Sequence, residues 1–404
     1  MQGRGKAQPA KGASKAAARS RGMPPSGRRA TAREVAELAG VSISAVSRVF
    51  TKGASVSATT RSKVLDATRS LGYRPNLLAR SLMTRRTELI GLISNNFDNP
   101  AFMEIFDLFT RRLQQKGLRP LLVNVSDGLP PNGALGMLLQ YSVDGVIVAS
   151  SQLHREFAEA CVEARLPLVQ AFGRPTGKIA INTVGADNVQ GGRVAADLLC
   201  ERGYRRIAYL GGPRTAPSTE DRVKGFRGRL LAARLRPVAE IYGQSFSYDV
   251  GNTLMRQLLK NGNVDAVFCG DDILAMGAID ACREAGMSVP GDIGIIGFDD
   301  MPMASWSAYD LTTVRQPIGD IIITAVELIL SIVGKPQRAA QTRLFACEGI
   351  VRGTLRAPAR GTLRAPAGGT LRAPAGGTLR APAGGTPSII HEKANLKFAG
   401  ARKT

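Results

Sequence analysis

The middle of the chain alternates between two hydrophobic patterns. One consists of short apolar runs rich in β-branched residues, at 89–94, 121–126, 145–150, 166–172, 207–212, 266–270 and 293–299. The other has apolar side chains at helical spacing, most clearly at 102–116, 188–202, 222–234 and 272–285. Alternating strands and helices predict parallel sheets with helices on both faces. Because about 265 residues is more than one hydrophobic core usually holds, we expect an α/β body of two lobes.

The segment 31–75 instead predicts three short helices. Each is preceded by a residue whose side-chain oxygen can cap it: Thr31, Ser42 and Ser57. The first helix, over 32–39, has a capping box with Glu34 and is expected to end at Gly40. The second is expected to run to about Phe50.

The first two of these helices have the spacing of a helix-turn-helix. That motif needs a small residue where its helices cross and a turn residue four positions later, and Ala36 and Gly40 have this spacing. Apolar side chains are expected to fix the crossing and close a small core: Val35, Ala39, Val41, Val46, Val49, Val64, Leu65 and Leu71. The start of the second helix of such a motif enters the DNA major groove.

The second helix carries side chains suited to reading bases. Its outward face is expected to hold four polar residues: Ser42, Ser44, Ser47 and Arg48. Arg48 can make a bidentate contact to guanine, and Ile43 can meet a thymine methyl group. An ordinary helical hairpin would not require polar residues on one face, so DNA reading is the favoured interpretation.

The formal net charge of +22 is concentrated at the ends of the chain. Residues 1–30 carry +8, residues 31–87 carry +7 and residues 353–404 carry +8, whereas residues 88–352 carry −1. Basic ends around a neutral body indicate a polyanionic partner, and counterion release makes nucleic acid the natural one. For the two tails, a solubilising role without DNA contact stays open.

Composition separates these tails from the rest of the chain. Residues 1–30 have no aromatic or β-branched side chain, which predicts disorder. Residues 353–384 hold GTLRAPAR followed by three copies of GTLRAPAG, a low-complexity pattern. The expected organisation is a basic tail, a DNA-binding domain, a hinge helix with linker, a two-lobed body and a second basic tail, at 1–30, 31–75, 76–87, 88–352 and 353–404.

Other classes of protein fit the sequence poorly. The longest apolar stretch, 321–333, is interrupted by Glu327 and is shorter than the roughly 20 residues of a membrane helix. No apolar segment follows the basic N-terminus, so no secretory signal is expected. The five cysteines contain no CxxC pair and only two histidines exist, which argues against zinc sites and disulfides. We expect a cytoplasmic protein without a metal or cofactor.

Three stretches of the head resemble the lactose-repressor (LacI) family of bacterial transcription regulators: TAREVAELAGVSISAVSRVF (31–50), SVSATTRSKVLDATRSLGYRPN (55–76) and LARSLMTRRT (78–87). The resemblance implies a hinge helix over 76–83 that orders on operator DNA. In it, Leu82 would wedge into a minor-groove base step, with Ala79 beside it. An ordinary buried leucine is the alternative for Leu82. The resemblance also implies phosphate contacts by Thr51, Ser57 and Thr60, and the expected DNA-binding set further includes Thr31 and Asn76.

The body resembles the two-lobed sugar-binding fold of the same family and of periplasmic binding proteins, through motifs such as DGVIVAS (144–150), AVFCGDDILAMGA (266–278) and IGIIGFDD (293–300). In such sheets, ligands bind beyond the carboxyl ends of the strands. Carboxylates suit paired sugar hydroxyls, an arginine suits oxygen acceptors, and an aromatic ring suits an apolar sugar face. Family position implies that a sugar or sugar acid contacts Asp98, Phe102, Arg222, Phe246, Asp271 and Asp299. Arg174 joins this expected set because it follows the fourth predicted strand.

Some of these residues have a structural alternative. Aspartates at strand ends often cap the next helix, and Asp272 is expected to do so, as is the pair Asp187 and Asn188. Phe102 as part of the core is a second alternative. Arg222 is expected to open the helix that follows the strand at 207–212.

The resulting hypothesis is a homodimeric transcription repressor whose binding to operator DNA responds to a small effector. A sugar receptor without DNA activity is a second hypothesis, disfavoured by the intact head and the missing export signal. A sugar-acting enzyme is a third, disfavoured because the sequence has no GxGxxG, GxxxxGK[ST] or GxSxG motif. No leucine heptad follows Val351, so a coiled-coil tetramer is not expected, and neither is a membrane partner.

Overall fold

A computed structural model describes residues 30–51, 53–75, 81, 86–95, 97–125, 131–175, 179–334 and 339–358. These residues form a helical head and an α/β body with two six-stranded sheets. Three residues predicted to lie in the hinge helix, Asn76, Ala79 and Leu82, fall outside the described residues, as do 1–29 and 359–404.

The head contains the three predicted helices: α1 (Ala32–Ala39), α2 (Ile43–Val49) and α3 (Ala58–Leu71). The capping box of α1 is present, because Thr31 Oγ1 accepts from the Glu34 backbone N–H at 3.3 Å and the Thr31 N–H donates to Glu34 Oε2 at 2.7 Å. Gly40 ends α1 with a left-handed φ of 67°, a conformation that glycine adopts at no steric cost. Ser42 and Ser57 cap α2 and α3.

The core of the head differs from the predicted one at the third helix. Its buried residues are Val35, Ala36, Ala39, Val46, Val49, Val64 and Ala67. The prediction that Leu65 belongs to this core is wrong, because its side chain is 39% exposed. Positions three apart share a helix face, so Val64 brings Ala67 inward and turns Leu65 away. Val41 and Leu71 pack at the edge of the core.

Lobe 1 of the body is built on parallel strands. Its elements in chain order are β1 (Leu89–Ser94), α4 (Ala101–Gln115), β2 (Arg119–Asn124), α5 (Pro131–Gln140), β3 (Gly145–Ala149), α6 (Arg155–Glu163), β4 (Leu168–Ala171) and β5 (Asn182–Ala186). A strand from the end of the body, β11 (Thr342–Phe345), completes the sheet, whose order is β11-β5-β4-β3-β1-β2.

Lobe 2 repeats this arrangement. Its elements are α7 (Asn188–Glu201), β6 (Ile207–Gly211), α8 (Pro217–Ala232), β7 (Ala239–Tyr242), α9 (Tyr248–Lys260), β8 (Ala266–Cys269), α10 (Asp272–Glu284), β9 (Gly294–Asp299), a 3₁₀ turn (Pro302–Ser305), β10 (Thr313–Arg315) and β12 (Glu348–Ile350). The sheet order is β12-β10-β9-β8-β6-β7, and only the described pair β10 and β12 is antiparallel in it.

The chain passes between the lobes three times: after β5, after β10, and between β11 and β12. After the second passage, α11 (Ile318–Ile332) packs against α4, β4 and β5 of lobe 1, whereas α7 packs against α8, β10 and β12 of lobe 2. The residues that follow β1 in lobe 1 meet those that follow β8 in lobe 2, since Asn99 Nδ2 donates to Asp271 Oδ2 at 3.1 Å. The carboxyl ends of both sheets therefore border one site.

All seven predicted strands are present, β1 with the bounds expected from the sequence. Five short strands were not predicted, namely β5, β7, β10, β11 and β12. None of them is a continuous apolar run, and all except β5 are partly exposed. The helix predicted over 222–234 begins at Pro217, whose fixed φ suits a first turn. The prediction that Arg222 opens this helix is therefore wrong.

The apolar stretch at 321–333 belongs to α11, which is buried on lobe 1. Among the residues that the structure describes, none of the helices is both long and apolar enough to cross a membrane.

Candidate functional site

The first candidate site is the outward face of α2. The side chains of Ser42, Ile43, Ser44, Ser47 and Arg48 are all exposed, while Val46 and Val49 on the opposite face are buried. Ile43 is an apolar side chain that is 48% exposed at the first position of the helix. This arrangement leaves the residues predicted to read bases exposed to solvent.

Hydrogen bonds within the head position these side chains. Ser42 Oγ caps α2 by accepting from the Ala45 N–H at 3.2 Å, and it lies 2.9 Å from Ser44 Oγ. Arg61, which the sequence did not single out, donates from α3 to the Val49 carbonyl at 3.3 Å. A cation at the end of a helix also complements its dipole, so Arg61 holds the far end of α2.

The predicted phosphate contacts are hydroxyls with local partners. Thr51 Oγ1 donates to the Ser47 carbonyl at 2.9 Å. Ser57 Oγ donates to Thr60 Oγ1 at 2.8 Å, which leaves the Thr60 hydroxyl proton available for an external acceptor. Thr31 Oγ1 donates to Glu34 Oε2 at 3.0 Å, so its hydroxyl proton is already used in the capping box.

The second candidate site surrounds Arg222, in the second turn of α8 and only 5% exposed. Its Nε donates to Asn188 Oδ1 at 2.9 Å, one terminal nitrogen donates to the Gly270 carbonyl, and the other lies 3.3 Å from Asp299 Oδ1. The guanidinium also stacks on the ring of Phe298, with its central carbon 3.7 Å from the ring centroid. Arg222 thus joins β8, β9 and α7 at the ends of the strands.

Three buried aspartates lie around this arginine or behind it. Asp271 caps α10 by accepting from the Ile273 N–H at 2.9 Å. The prediction that Asp272 caps this helix is wrong. Asp272 instead accepts from the Met301 N–H at 2.8 Å and from Thr313 Oγ1 at 2.5 Å. Because the cap must precede the first helical residue, the first aspartate of the pair takes that role and the second faces inward.

Burial sets the protonation of these carboxyl groups. It raises the pKa of Asp271 well above its ordinary value, and the negative charge of Asp299 raises it further, whereas Arg222 lowers it. Burial, followed by the Asp299 charge, raises the pKa of Asp272 to about 7. The site therefore combines one fixed positive charge with carboxyl groups of which two resist ionisation.

The other predicted effector residues are less buried than Arg222 and its aspartate neighbours. Asp98 is exposed on the loop before α4, and Phe102 is half-buried against Phe106, with ring centroids 6.0 Å apart. Phe246 is half-buried and packs over Gly212, where an added Cβ would come within 2.5 Å of the ring. Phe102 and Phe246 both contact the hydrophobic core as well.

Arg174 joins the two lobes at a different point. It follows β4 of lobe 1, and one terminal nitrogen donates to Glu220 Oε2 of α8 at 2.5 Å while the other donates to Asp221. Its side chain is 36% exposed. The structure thus places Arg174 in an ion pair across the lobes.

Three polar residues were not predicted to belong to the site: Asn99, Gln316 and Asn188, the last of which was predicted as a helix cap. Asn99 is 1% exposed and bridges to Asp271, while Asn188 is 8% exposed and accepts from Arg222. Gln316 follows β10 and donates to Asp299 Oδ1. Each follows a strand of the sheet, so the strand-end rule could have found them if amides had been considered with carboxylates. Of the pair predicted to cap α7, Asp187 does so by accepting from the Gln190 N–H at 2.9 Å, whereas Asn188 is the first residue of the helix and does not cap it.

The head and the two-lobed body define the class of this molecule: a helix-turn-helix protein with a periplasmic-binding-protein-like domain. Two family descriptions match the chain, "Bacterial regulatory proteins, lacI family" over residues 31–76 and "Periplasmic binding protein-like domain" over residues 196–355. The chain belongs to the LacI family of bacterial regulatory proteins, as the resemblance of its head implies.

Curated relatives support this placement over most of their length. The HTH-type transcriptional regulator CelR of Thermobifida fusca is 37% identical over 302 residues, which make up 72% of this chain and 88% of CelR. The HTH-type transcriptional repressor PurR of Proteus mirabilis is 34% identical over 318 residues, which make up 78% of this chain and 93% of PurR.

Solved structures match the fold. The lac repressor dimer bound to operator and the anti-inducer ONPF superposes with a TM-score of 0.73 at 28% identity, covering 82% of this chain and all of the repressor chain. A complex of the transcriptional regulator CelR with cellobiose superposes with a TM-score of 0.62 at 32% identity, covering 81% of this chain and all of that chain. The predicted fold class is confirmed.

Proposed function

We propose that this protein is a transcription repressor that binds operator DNA through α2 and changes its operator affinity when a small effector binds between the lobes. The observation that carries the proposal is the exposed face of α2, where Ile43, Ser47 and Arg48 have no role in the core of the head. Caps and a buried core hold this helix in place, which suits a surface that must fit a groove.

The chemistry around Arg222 favours an uncharged, polyhydroxylated effector. Arg222 supplies donors, Asp299 supplies acceptors, and Asn99, Asn188 and Gln316 supply both. A sugar acid would bring its negative charge beside the buried Asp299 carboxylate, where like charges repel strongly. A neutral sugar meets no such cost. The relative that carries cellobiose in its structure supports this class of ligand.

The proposed function also bears on the oligomeric state and the cellular location. The lac repressor structure is a dimer on its operator, and we propose a homodimer that binds two half-sites of operator DNA here as well. We also propose that the protein acts in the cytoplasm, where bacterial operator DNA lies. We propose no enzymatic activity, because the curated relatives are transcriptional regulators.

A binding experiment tests this function. The purified protein is titrated onto labelled DNA from upstream of its own gene and, separately, onto random-sequence DNA of equal length. Each titration is repeated with cellobiose, with other neutral sugars, with sugar acids and with purines. We expect tighter binding to the upstream DNA, and a change in that binding with a neutral sugar only.

The outcomes separate the alternatives. Equal affinity for upstream and random-sequence DNA would contradict a sequence-specific regulator. A response to a sugar acid would contradict the charge argument, and a response to purines would contradict the polyhydroxylated class of effector. Either result would leave the DNA-binding function intact. Ligand binding without any DNA binding would favour the sugar-receptor hypothesis.

A further inference from the structure

The chain enters lobe 1 through residues 86–88, directly before β1. In the sequence, this short linker joins the body to the segment 76–85 that precedes it and so to the head. Glu88 has a left-handed φ of 59°, a conformation that non-glycine residues avoid unless their surroundings hold it. The linker therefore has a defined backbone at the point where it meets the body.

The carboxylate of Asp144 holds this backbone. Asp144 Oδ1 accepts from the Thr87 N–H at 2.9 Å, and Oδ2 accepts from the Glu88 N–H at 3.0 Å. Arg86 Nε lies 3.7 Å from Oδ2. The Asp144 side chain is only 7% exposed, so water competes little for these bonds. One buried carboxylate thus engages three consecutive residues of the linker.

A second set of bonds joins the same linker to lobe 1. Thr87 Oγ1 lies 2.7 Å from the Ser142 carbonyl and 3.1 Å from Asp144 Oδ1, so its single proton goes to the nearer acceptor. The Glu88 carbonyl accepts from the Arg119 N–H at 2.8 Å. Asp144 itself is fixed, because its N–H donates to the Leu89 carbonyl at 2.8 Å. The linker and lobe 1 are therefore rigidly connected.

This connection lies at the opposite end of the sheet from the Arg222 site. Thr87 and Asp144 precede β1 and β3, which are paired neighbours, whereas Asn99 follows β1 and reaches Asp271. A six-residue strand spans about 20 Å. A buried strand does not bend easily, so a displacement of lobe 1 at its effector end moves the linker as well.

We propose that Asp144 is a positioning residue that couples lobe 1 to the DNA-reading head. By fixing 86–88 to the start of β1 and β3, it makes the linker move with lobe 1. An effector-driven movement of lobe 1 is then transmitted towards the head and is not absorbed by a flexible linker. The inference rests on the proposed function, because it needs operator binding and an effector response to act upon.

The test uses the full-length protein and two substitutions. Asp144→Asn replaces one acceptor oxygen with an amide, which cannot accept from the Glu88 N–H or attract Arg86. Thr87→Val removes the hydroxyl and keeps the shape and the backbone. Asp107→Asn is the matched control, since Asp107 is an exposed carboxylate of lobe 1 that pairs with Arg111 on its own helix.

Three quantities are measured for each protein: cellobiose affinity by calorimetry, and the affinities for upstream DNA and random-sequence DNA with and without cellobiose. We expect Asp144→Asn to keep cellobiose affinity within about twofold of the wild type and to reduce the effect of cellobiose on upstream-DNA affinity at least tenfold. Without cellobiose, upstream-DNA affinity should also fall several-fold, while random-sequence DNA affinity stays unchanged. Thr87→Val should show the same pattern to a smaller extent.

An effector response and an upstream-DNA affinity that match the wild type in both variants would overturn the inference. Loss of cellobiose affinity together with a lower melting temperature would also overturn it, because this would indicate a purely structural role in lobe 1. If Asp144→Asn does not fold, Thr87→Val decides. A wild-type protein that ignores the upstream DNA contradicts the proposed function itself, which is a distinguishable result.

Discussion

The head and the body hold their candidate functional residues in opposite ways. In the head, Ser44, Ser47 and Arg48 lie exposed on α2, supported by a small core beneath them. In the body, Arg222 and Asp299 are more than nine-tenths buried and already bonded to each other. One region offers solvent-exposed groups on a rigid support, whereas the other offers a buried network of groups that are already paired.

The difference follows from the size of the two ligands and from the cost of burying charge. DNA covers a wide surface and brings its own charges, so the reading groups can stay hydrated until they meet it. A small effector has to be enclosed, and an arginine buried without partners would cost several kcal/mol. Under the proposed function, the neighbours of Arg222 belong to the effector site, and an effector exchanges bonds with them.

The largest expected effect concerns this buried network. Arg222→Ala leaves the Asp299 carboxylate buried without its cation, which should lower the free energy of unfolding by about 3–5 kcal/mol. The effector response should be lost as well. Urea denaturation measures the first effect, and DNA binding with and without cellobiose measures the second.

Arg227→Ala is the matched control for Arg222→Ala. Arg227 lies on the same helix and pairs with Glu240, but its side chain is 49% exposed. Its loss should cost less than about 1 kcal/mol, as is usual for surface ion pairs. Similar losses in the free energy of unfolding for the two variants would contradict the view that the buried pairing of Arg222 differs from an exposed ion pair.

Arg48→Ala tests the exposed candidate residues of the head. We expect operator binding to weaken by on the order of 1–3 kcal/mol, because a bidentate base contact is lost. Folding stability and cellobiose affinity should not change, since the side chain packs against nothing in the core. Fluorescence anisotropy with operator DNA measures the effect, and Arg33→Ala, an exposed arginine of α1, is the control. An equal loss on random-sequence DNA would assign Arg48 to phosphate contacts only.

We expect the pH dependence of the free energy of unfolding to arise from a buried carboxyl group of the body, Asp272. Burial and the Asp299 charge raise the pKa of Asp272 from 3.8 to about 7, so the folded state holds this proton more tightly than the unfolded chain. The contribution of Asp272 is therefore fully present below about pH 4 and is lost as the pH rises towards 7. Its largest slope is about 1.4 kcal/mol per pH unit.

Urea denaturation at several pH values measures this contribution as the difference between the wild type and Asp272→Asn. The variant has no proton to lose there, so its stability should fall less than that of the wild type between pH 4 and pH 7. Parallel curves for the two proteins would show that Asp272 is ionised in the folded state throughout this range.

The sequence predicted the head more completely than the body, for a physical reason. The capping box of Thr31 and Glu34, the stop at Gly40 and the cap at Ser42 are all set by residues within three or four positions of one another. Local rules of helix formation describe such contacts well. The error at Leu65 arose where packing between helices, rather than a local rule, decides which face turns inward.

The body site depends on contacts between distant residues. Asn99 and Asp271 are 172 positions apart, and Arg222 and Asp299 are 77 apart. The strand-end rule brought most of the charged residues to the right edge of the sheets, but it could not distinguish the cap Asp271 from the inward Asp272. It also could not show that Arg174 would meet two carboxylates of the other lobe.

The smallest expected effect concerns Arg174. Its side chain is partly exposed, like the candidate residues of the head, and it is paired, like those of the body site. If its role is to hold the lobes together through Glu220 and Asp221, Arg174→Gln should weaken binding of the proposed neutral sugar, with cellobiose as the probe, by about 0.2–1 kcal/mol, the range of exposed ion pairs. The effect should shrink at high salt, because screening weakens the pair in the wild type too. Calorimetry at low and high salt measures both quantities.

The control is Arg155→Gln, which breaks an exposed pair with Glu159 inside one helix of lobe 1 and should leave cellobiose affinity unchanged. A loss of more than tenfold that persists at high salt would instead make Arg174 a direct contact of the effector. The body site would then include a half-exposed group, and the contrast with the head would be one of degree.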